Sequence, residues 1–138
     1  MADTTVTIDV RNCAASQAPG FTDAVLFGGP AIHSYCYQFA GGSGGSPGDV
    51  TEKKDGNKKT IDINMIADSA YYRLTAVLIG NDPQNQLSVK SLRSNSATIE
   101  DKNDQLESNA YYCVVFEDIS AGANGVLIAC DPRISNVP

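Results

Sequence analysis

Polar and apolar residues alternate along most of this chain with a period of two. This period is typical of strands that bury one face and expose the other. The clearest example is Thr5-Val6-Thr7-Ile8-Asp9-Val10. Alternation or short apolar runs mark residues 5–10, 24–27, 31–39, 60–65, 71–79, 87–92, 97–100, 110–116 and 125–130. The pattern therefore predicts an all-β fold, an antiparallel β-sandwich of about seven to nine short strands.

Turn-forming residues separate these segments. Gly28-Gly29-Pro30 and Gly80-Asn81-Asp82-Pro83 each follow an apolar run. The Gly-rich and Ser-rich loop from Gly41 to Gly48 is too short to separate two domains. The best helix candidate, Asp101 to Asn109, has no sustained apolar stripe. We therefore predict a single domain over residues 1–138 with almost no helix.

The net charge narrows the choice of partners. The chain has a formal net charge of −6, whereas binding to a nucleic-acid backbone needs clustered cations. Its basic cluster, Lys53, Lys54, Lys58 and Lys59, surrounds a predicted hairpin turn, and we interpret it as a solvated tip that protects a strand edge. No apolar run approaches the roughly 20 residues of a spanning helix. We predict neither a nucleic-acid nor a membrane partner.

The cysteines and the first residues bear on compartment and metal binding. Met1 to Thr5 show neither the basic nor the apolar segment of a signal peptide, so we expect a cytoplasmic protein. No CxxC pair exists and His33 is the single histidine, so we expect no metal and no cofactor. The default expectation is four reduced thiols. A hairpin of the last two strands would place Cys113 and Cys130 almost opposite each other, which permits a cross-strand disulfide.

An Asp-Pro bond, Asp131-Pro132, directly follows the apolar run that ends at Cys130. This bond is chemically labile, because the aspartate carboxyl can attack its own main-chain carbonyl and the proline nitrogen is a basic leaving group. The alternative is that Pro132 only ends the last strand. Asp82-Pro83 offers an internal comparison, because it lies in a polar turn that does not exclude water. We therefore expect Asp131-Pro132 to be the reactive bond.

Carboxylates are the remaining candidates for catalysis, because the glycine-rich phosphate loops and the nucleophile elbow of common enzymes are missing. Glu117, Asp118 and Asp131 lie near the predicted C-terminal hairpin. A carboxylate can act as a nucleophile or activate a water. A protonated Asp131 would cleave its own bond through a cyclic anhydride that water opens. A lysine amine opening the same anhydride would instead give an isopeptide cross-link.

The last thirteen residues, Val126 to Pro138, resemble the close of the bacterial DP-EP family. The resemblance implies a β-sandwich that acts in cis as an aspartic-type endopeptidase, cleaves its own Asp131-Pro132 bond and self-assembles. It also implies that the tail, residues 132–138, stays bound in the sheet and that an aspartate activates the attacking water. No motif identifies that aspartate, and we assign Asp118 from its proximity in the predicted hairpin. The lysine-to-aspartate link of the family is not supported, because the nearest lysine in sequence, Lys102, lies in a predicted turn.

Two functions of other classes remain open. One is a non-enzymatic module that assembles with copies of itself through sheet edges or through the tail. The other is a sugar-binding sandwich, which the absence of tryptophan disfavours. Under the leading hypothesis and under the first alternative, the predicted partner is the protein itself.

Overall fold

The structure is a computed structural model that describes residues 4–12, 19–27, 34–43, 48–66, 71–119, 126–130 and 133–137. These residues form an all-β fold, as the period-two pattern predicts. Within them there is no helix that is long and apolar enough to cross a membrane.

Twelve strands occur in the described part of the chain. The first six are β1 (Thr4–Arg11), β2 (Thr22–Asp23), β3 (Val25–Phe27), β4 (Cys36–Gly41), β5 (Val50–Lys53) and β6 (Lys59–Met65). The other six are β7 (Tyr72–Gly80), β8 (Leu87–Leu92), β9 (Ser96–Asp101), β10 (Glu107–Asp118), β11 (Leu127–Cys130) and β12 (Arg133–Val137).

The strands form two mostly antiparallel sheets. One sheet has the order β2-β4-β1-β6-β9-β8, and the other has the order β3-β11-β10-β12-β5, with β7 paired to β10. Two of the described pairs are parallel, β1 with β6 and β5 with β12. The apolar faces of the two sheets meet in one core, so the fold is a β-sandwich.

Alternation along the strands builds this core. In β1 the side chains of Val6, Ile8 and Val10 are buried, while those between them are only partly buried. In β10 the even-numbered positions from 110 to 118 all face inward, and Tyr112 and Phe116 are completely buried. The pairing of β7 with β10 skips Thr75, so Leu74 is buried on the same inward face as its partner Phe116. The Thr75 hydroxyl donates to the Val115 carbonyl at 3.2 Å.

Three strands were not predicted from the sequence: β2, β5 and β12. The weak helix candidate from Asp101 to Asn109 is not a helix in the described residues, because β9 ends at Asp101 and β10 begins at Glu107. The structure therefore exceeds the predicted seven to nine strands.

The expectation of four reduced thiols is wrong, because Cys36 is disulfide-bonded. Cys113 and Cys130 do not form the cross-strand disulfide that the sequence permits, and both remain thiols. The reason is the register of the two strands: Cys130 pairs with Val114, so Cys113 is one residue away from the position opposite Cys130. In a strand one residue reverses the direction of the side chain, which puts the two sulfurs on opposite faces of the sheet.

Candidate functional site

Strand β10 connects the two strands that flank the predicted scissile bond. Val114 pairs with Cys130 of β11, and Tyr111 pairs with Arg133 of β12. Both pairs belong to the same antiparallel register, so β11 and β12 follow the same edge of β10. The predicted site residues Asp131 and Pro132 lie outside the described residues. The β10 residues that fall between the two pairs are Tyr112 and Cys113.

Strand β12 is an interior strand. It pairs antiparallel with β10 on one side and parallel with β5 on the other, and the parallel pairs begin at Ile134 and Val50. A strand therefore follows Pro132, and the last strand does not end at this proline. Interior positions are where proline is most costly in a sheet, because it has no N–H to donate to the ladder.

The end of the glycine-rich loop, just before β5, contacts the same part of β10. Gly48 and Asp49 directly precede Val50, just as Arg133 precedes Ile134 in the neighbouring strand. The Tyr112 hydroxyl donates a hydrogen bond to the Gly48 carbonyl at 2.6 Å. Desolvation by burial raises the pKa of Tyr112 well above its ordinary value, and the negative charge of Asp49 raises it further. Asp49 is therefore a carboxylate whose charge acts on Tyr112, one of the two β10 residues between the pairs with Cys130 and Arg133.

The raised pKa of Tyr112 predicts a loss of stability in alkali. The unfolded chain releases this proton near pH 10.0 and the folded chain keeps it. The folded state therefore binds more protons above that pH, so the free energy of unfolding should fall by about 1.4 kcal/mol per pH unit from this residue. Urea titrations from about pH 8 to pH 11.5 measure the slope.

Tyr112→Phe should remove this contribution to the slope, at a cost of about 1 kcal/mol at neutral pH for the lost hydrogen bond. Tyr111→Phe is the matched control, because the neighbouring tyrosine is 45 % exposed. An unchanged slope in Tyr112→Phe contradicts this account.

The predicted water-activating residue, Asp118, lies at the far end of β10. It is four residues beyond Val114, the partner of Cys130, which corresponds to about 13 Å along a strand. Its side chain is 3 % exposed, and the Tyr35 hydroxyl donates to Asp118 Oδ2 at 2.5 Å. Burial and the Asp118 carboxylate raise the pKa of Tyr35, so this hydroxyl stays a donor. The role of Asp118 in cleavage stays a prediction that the register does not support.

The comparison bond, Asp82-Pro83, is held in a well-made turn. Asp82 Oδ1 accepts from the Gln86 backbone N–H at 2.8 Å, and Asp82 Oδ2 accepts from the Leu87 N–H at 3.0 Å. Both carboxylate oxygens are thus engaged with the backbone that follows the turn. We expect this bond to stay intact, because its carboxylate already has a structural role.

The described lysines give no support to a cross-link at Asp131. The Lys102 backbone N–H donates to the Gln86 carbonyl at 2.9 Å, at the end of β9 in the opposite sheet. In the site's own sheet Lys53 is level with Val137, four residues beyond Arg133. Among the described residues, no three histidine, cysteine, aspartate or glutamate side chains are grouped so that they could hold a metal ion.

The fold and these contacts define a two-sheet, all-β protein whose candidate site is the interval between β11 and β12. Neither a family model nor a curated protein matches the chain. Sequence reasoning missed Asp49 because its relation to the site depends on the parallel pairing of β5 with β12. The sequence of β5 carries no apolar alternation, because its two buried positions are Val50 and Glu52.

Proposed function

We propose that this protein is a self-processing β-sandwich that hydrolyses its own Asp131-Pro132 bond in cis. The observation that carries the proposal is the common register of β11 and β12 along β10, with the bond in the interval between them. A proline between two interior strand segments is unfavourable for the sheet alone. A chemical role for the bond would account for a proline at this position.

The proposed reaction uses the Asp131 carboxyl as an internal nucleophile. Its oxygen attacks the main-chain carbonyl of Asp131, the C–N bond to Pro132 breaks, and the proline nitrogen takes up a proton. Water then opens the cyclic anhydride, which leaves a carboxyl group at the new C-terminus and a secondary amine at the new N-terminus. The sum is hydrolysis, and it requires no cofactor.

Asp49 is the residue that we assign to activating the water, in place of Asp118. It directly follows Gly48, whose carbonyl accepts the Tyr112 hydrogen bond, and its charge helps to raise the pKa of Tyr112, which keeps that hydroxyl protonated. Tyr112 is therefore a hydrogen-bond donor and not a base, whereas a carboxylate can accept a proton from water. The resulting C-terminal segment would keep its pairing with β10 and β5 after cleavage.

Intact-mass spectrometry of the denatured full-length chain tests the proposal. We expect two species, residues 1–131 and residues 132–138, that elute together from a sizing column under native conditions. The cleaved fraction should grow as the protein ages at mildly acidic pH. A single full-length species after prolonged storage at both acidic and neutral pH refutes self-cleavage.

Asp49→Asn should slow the cleavage by about 100-fold, the typical contribution of a general base. Asp118→Asn is the matched control, because it makes the same chemical change at the other end of β10, and we expect its rate to stay within about twofold of the wild type. Quenched time points of intact mass give both rates, with circular dichroism confirming that each variant is folded. Equal rates for wild type and Asp49→Asn would show that Asp49 does not activate the water and that Asp131 acts without a second carboxylate.

Self-association is a second proposal, and it rests on the sheet edges. Among the described strand pairs, the sheet that contains the site has β7 at one edge and β3 and β5 at the other, and Val25 in β3 is 70 % exposed. An exposed apolar edge strand is able to pair with another chain. This surface supports the alternative function, a module that assembles with copies of itself, whether or not the chain is cleaved.

The cytoplasmic location stays a prediction, and the disulfide at Cys36 disfavours it. Disulfides persist in oxidising compartments and are rare in the cytosol. We therefore infer that the protein acts in an oxidising compartment, where the bond at Cys36 contributes to its stability.

A further inference from the structure

A pocket of about 270 Å³ lies at the Asp118 end of β10, away from the proposed cleavage site. Asn12, Tyr71, Tyr72 and Asp118 line it. Tyr72 and Asp118 are direct partners in the pairing of β7 with β10, and the Ile119 N–H donates to the Tyr71 carbonyl at 2.8 Å. Two of the four lining residues, Tyr72 and Asp118, are thus held by paired strands, which place side chains more precisely than loops do.

The pocket combines one carboxylate with aromatic surface. Asp118 is almost completely buried, and the Tyr35 hydroxyl fixes its Oδ2 atom. The rings of Tyr35 and Tyr72 pack edge to face, with centroids 6.5 Å apart and planes at 84°. Tyr71 is 53 % exposed and supplies an accessible ring at the rim.

This combination favours a positively charged ligand over a neutral one. A cation gains a Coulomb attraction to a carboxylate that a neutral ligand of the same shape lacks. A tyrosine ring attracts a cation through its negative face. The formal charge of −6 adds a long-range attraction for cations. A neutral sugar would use the ring surface but not the charge.

We propose that this pocket binds the ammonium group of a small organic cation. Asp118 is the charge partner, the Tyr71 ring contacts the alkyl groups on the nitrogen, and the Asn12 amide is available to a polar substituent. The volume is slightly below the usual 300–1,000 Å³ of drug-sized sites. It therefore suits a head group such as trimethylammonium. This site is independent of cleavage at Asp131-Pro132.

Choline and its uncharged carbon analogue, in which a tert-butyl group replaces trimethylammonium, are the probes for this proposal. Both are titrated into the full-length protein at constant ionic strength, and binding is followed by calorimetry and by backbone amide NMR. We expect saturable choline binding with shifts at residues 71, 72 and 118, and at least about fivefold weaker binding of the analogue, which lacks the charge. Absence of saturable choline binding, or equal affinity for the two probes, overturns the proposal.

Variants locate the site. Tyr71→Leu should weaken choline binding about threefold, the value of one exposed cation–π contact. Tyr111→Leu replaces a tyrosine of similar exposure at the other end of β10 and should leave the affinity unchanged. Asp118→Asn, checked for folding by circular dichroism, should abolish the preference for choline over its analogue. Equal losses in Tyr71→Leu and Tyr111→Leu, or an unchanged preference in Asp118→Asn, overturn the assignment, as does binding of galactose in preference to choline.

Discussion

Replacing Asp131 by alanine should abolish the release of residues 132–138 on denaturation, while the wild-type chain releases them. The reason is chemical: alanine has no carboxyl group to attack the main-chain carbonyl, and an ordinary peptide bond to proline is stable in water. Circular dichroism checks that the variant is folded, so that a cleaved fraction that falls to zero is assigned to the missing carboxyl group. Intact mass after equal storage times is the measurement.

Two further variants separate the parts of this chemistry. Pro132→Ala keeps the carboxyl group but removes the basic leaving nitrogen, so we expect cleavage at least about tenfold slower. Asp82→Ala should leave the cleavage at position 131 unchanged, because Asp82 holds its own turn through Gln86 and Leu87. Continued loss of the tail in Asp131→Ala would point to a contaminating protease and contradict self-processing.

The all-β class was predictable from the sequence, because alternation is a local signal. Val6, Ile8 and Val10 are all buried in β1, as a period of two requires. Strand β5 was missed because its alternation includes Glu52, which is buried at 9 % exposure. Strand β12 was missed because Pro132 precedes it and its own pattern is short. Both strands owe their conformation to tertiary pairing, which outweighs local preference in a sheet.

The candidate site was predictable only in part, for the same physical reason. The bond itself is visible as a dipeptide, but its neighbours are set by long-range register. Asp118 is close to Asp131 in a hairpin drawn from the sequence, yet β10 is twelve residues long and separates the two ends. Asp49 lies far away in sequence and reaches the site only because β5 runs parallel to β12. No local pattern encodes that pairing.

A chain that is produced without residues 132–138 should not fold to the native state. The chain that ends at Asp131 after self-cleavage should stay folded, because the released tail remains paired in the sheet. Strand β12 fills an interior position, with three described Cα pairs to β10 and four to β5. Within the described residues β5 has no other strand partner in its sheet. Each backbone hydrogen bond contributes about 1 kcal/mol net. The total loss is therefore comparable with the roughly 5–15 kcal/mol that typically holds a domain together.

Far-UV circular dichroism and urea titration of the truncated chain measure this effect. A synthetic peptide of residues 132–138 added in trans should restore the native signal, whereas a scrambled peptide of the same composition should not. A chain that lacks only Pro138 is the matched control for shortening. A truncated chain as stable as the full-length protein would show that β12 is dispensable.

The contrast between the truncated and the self-cleaved chain also fixes the order of events. If the tail is needed to form the sheet but not to be covalently attached afterwards, cleavage must follow folding. In the proposed reaction the folded sheet is the state that brings Asp49 to the bond, since among the described strands β5 joins the sheet only through its pairing with β12. Refolding the denatured full-length chain at low and high urea tests this order. Cleavage should begin only at urea concentrations where the native signal has returned, and cleavage in the unfolded chain at an equal rate would contradict it.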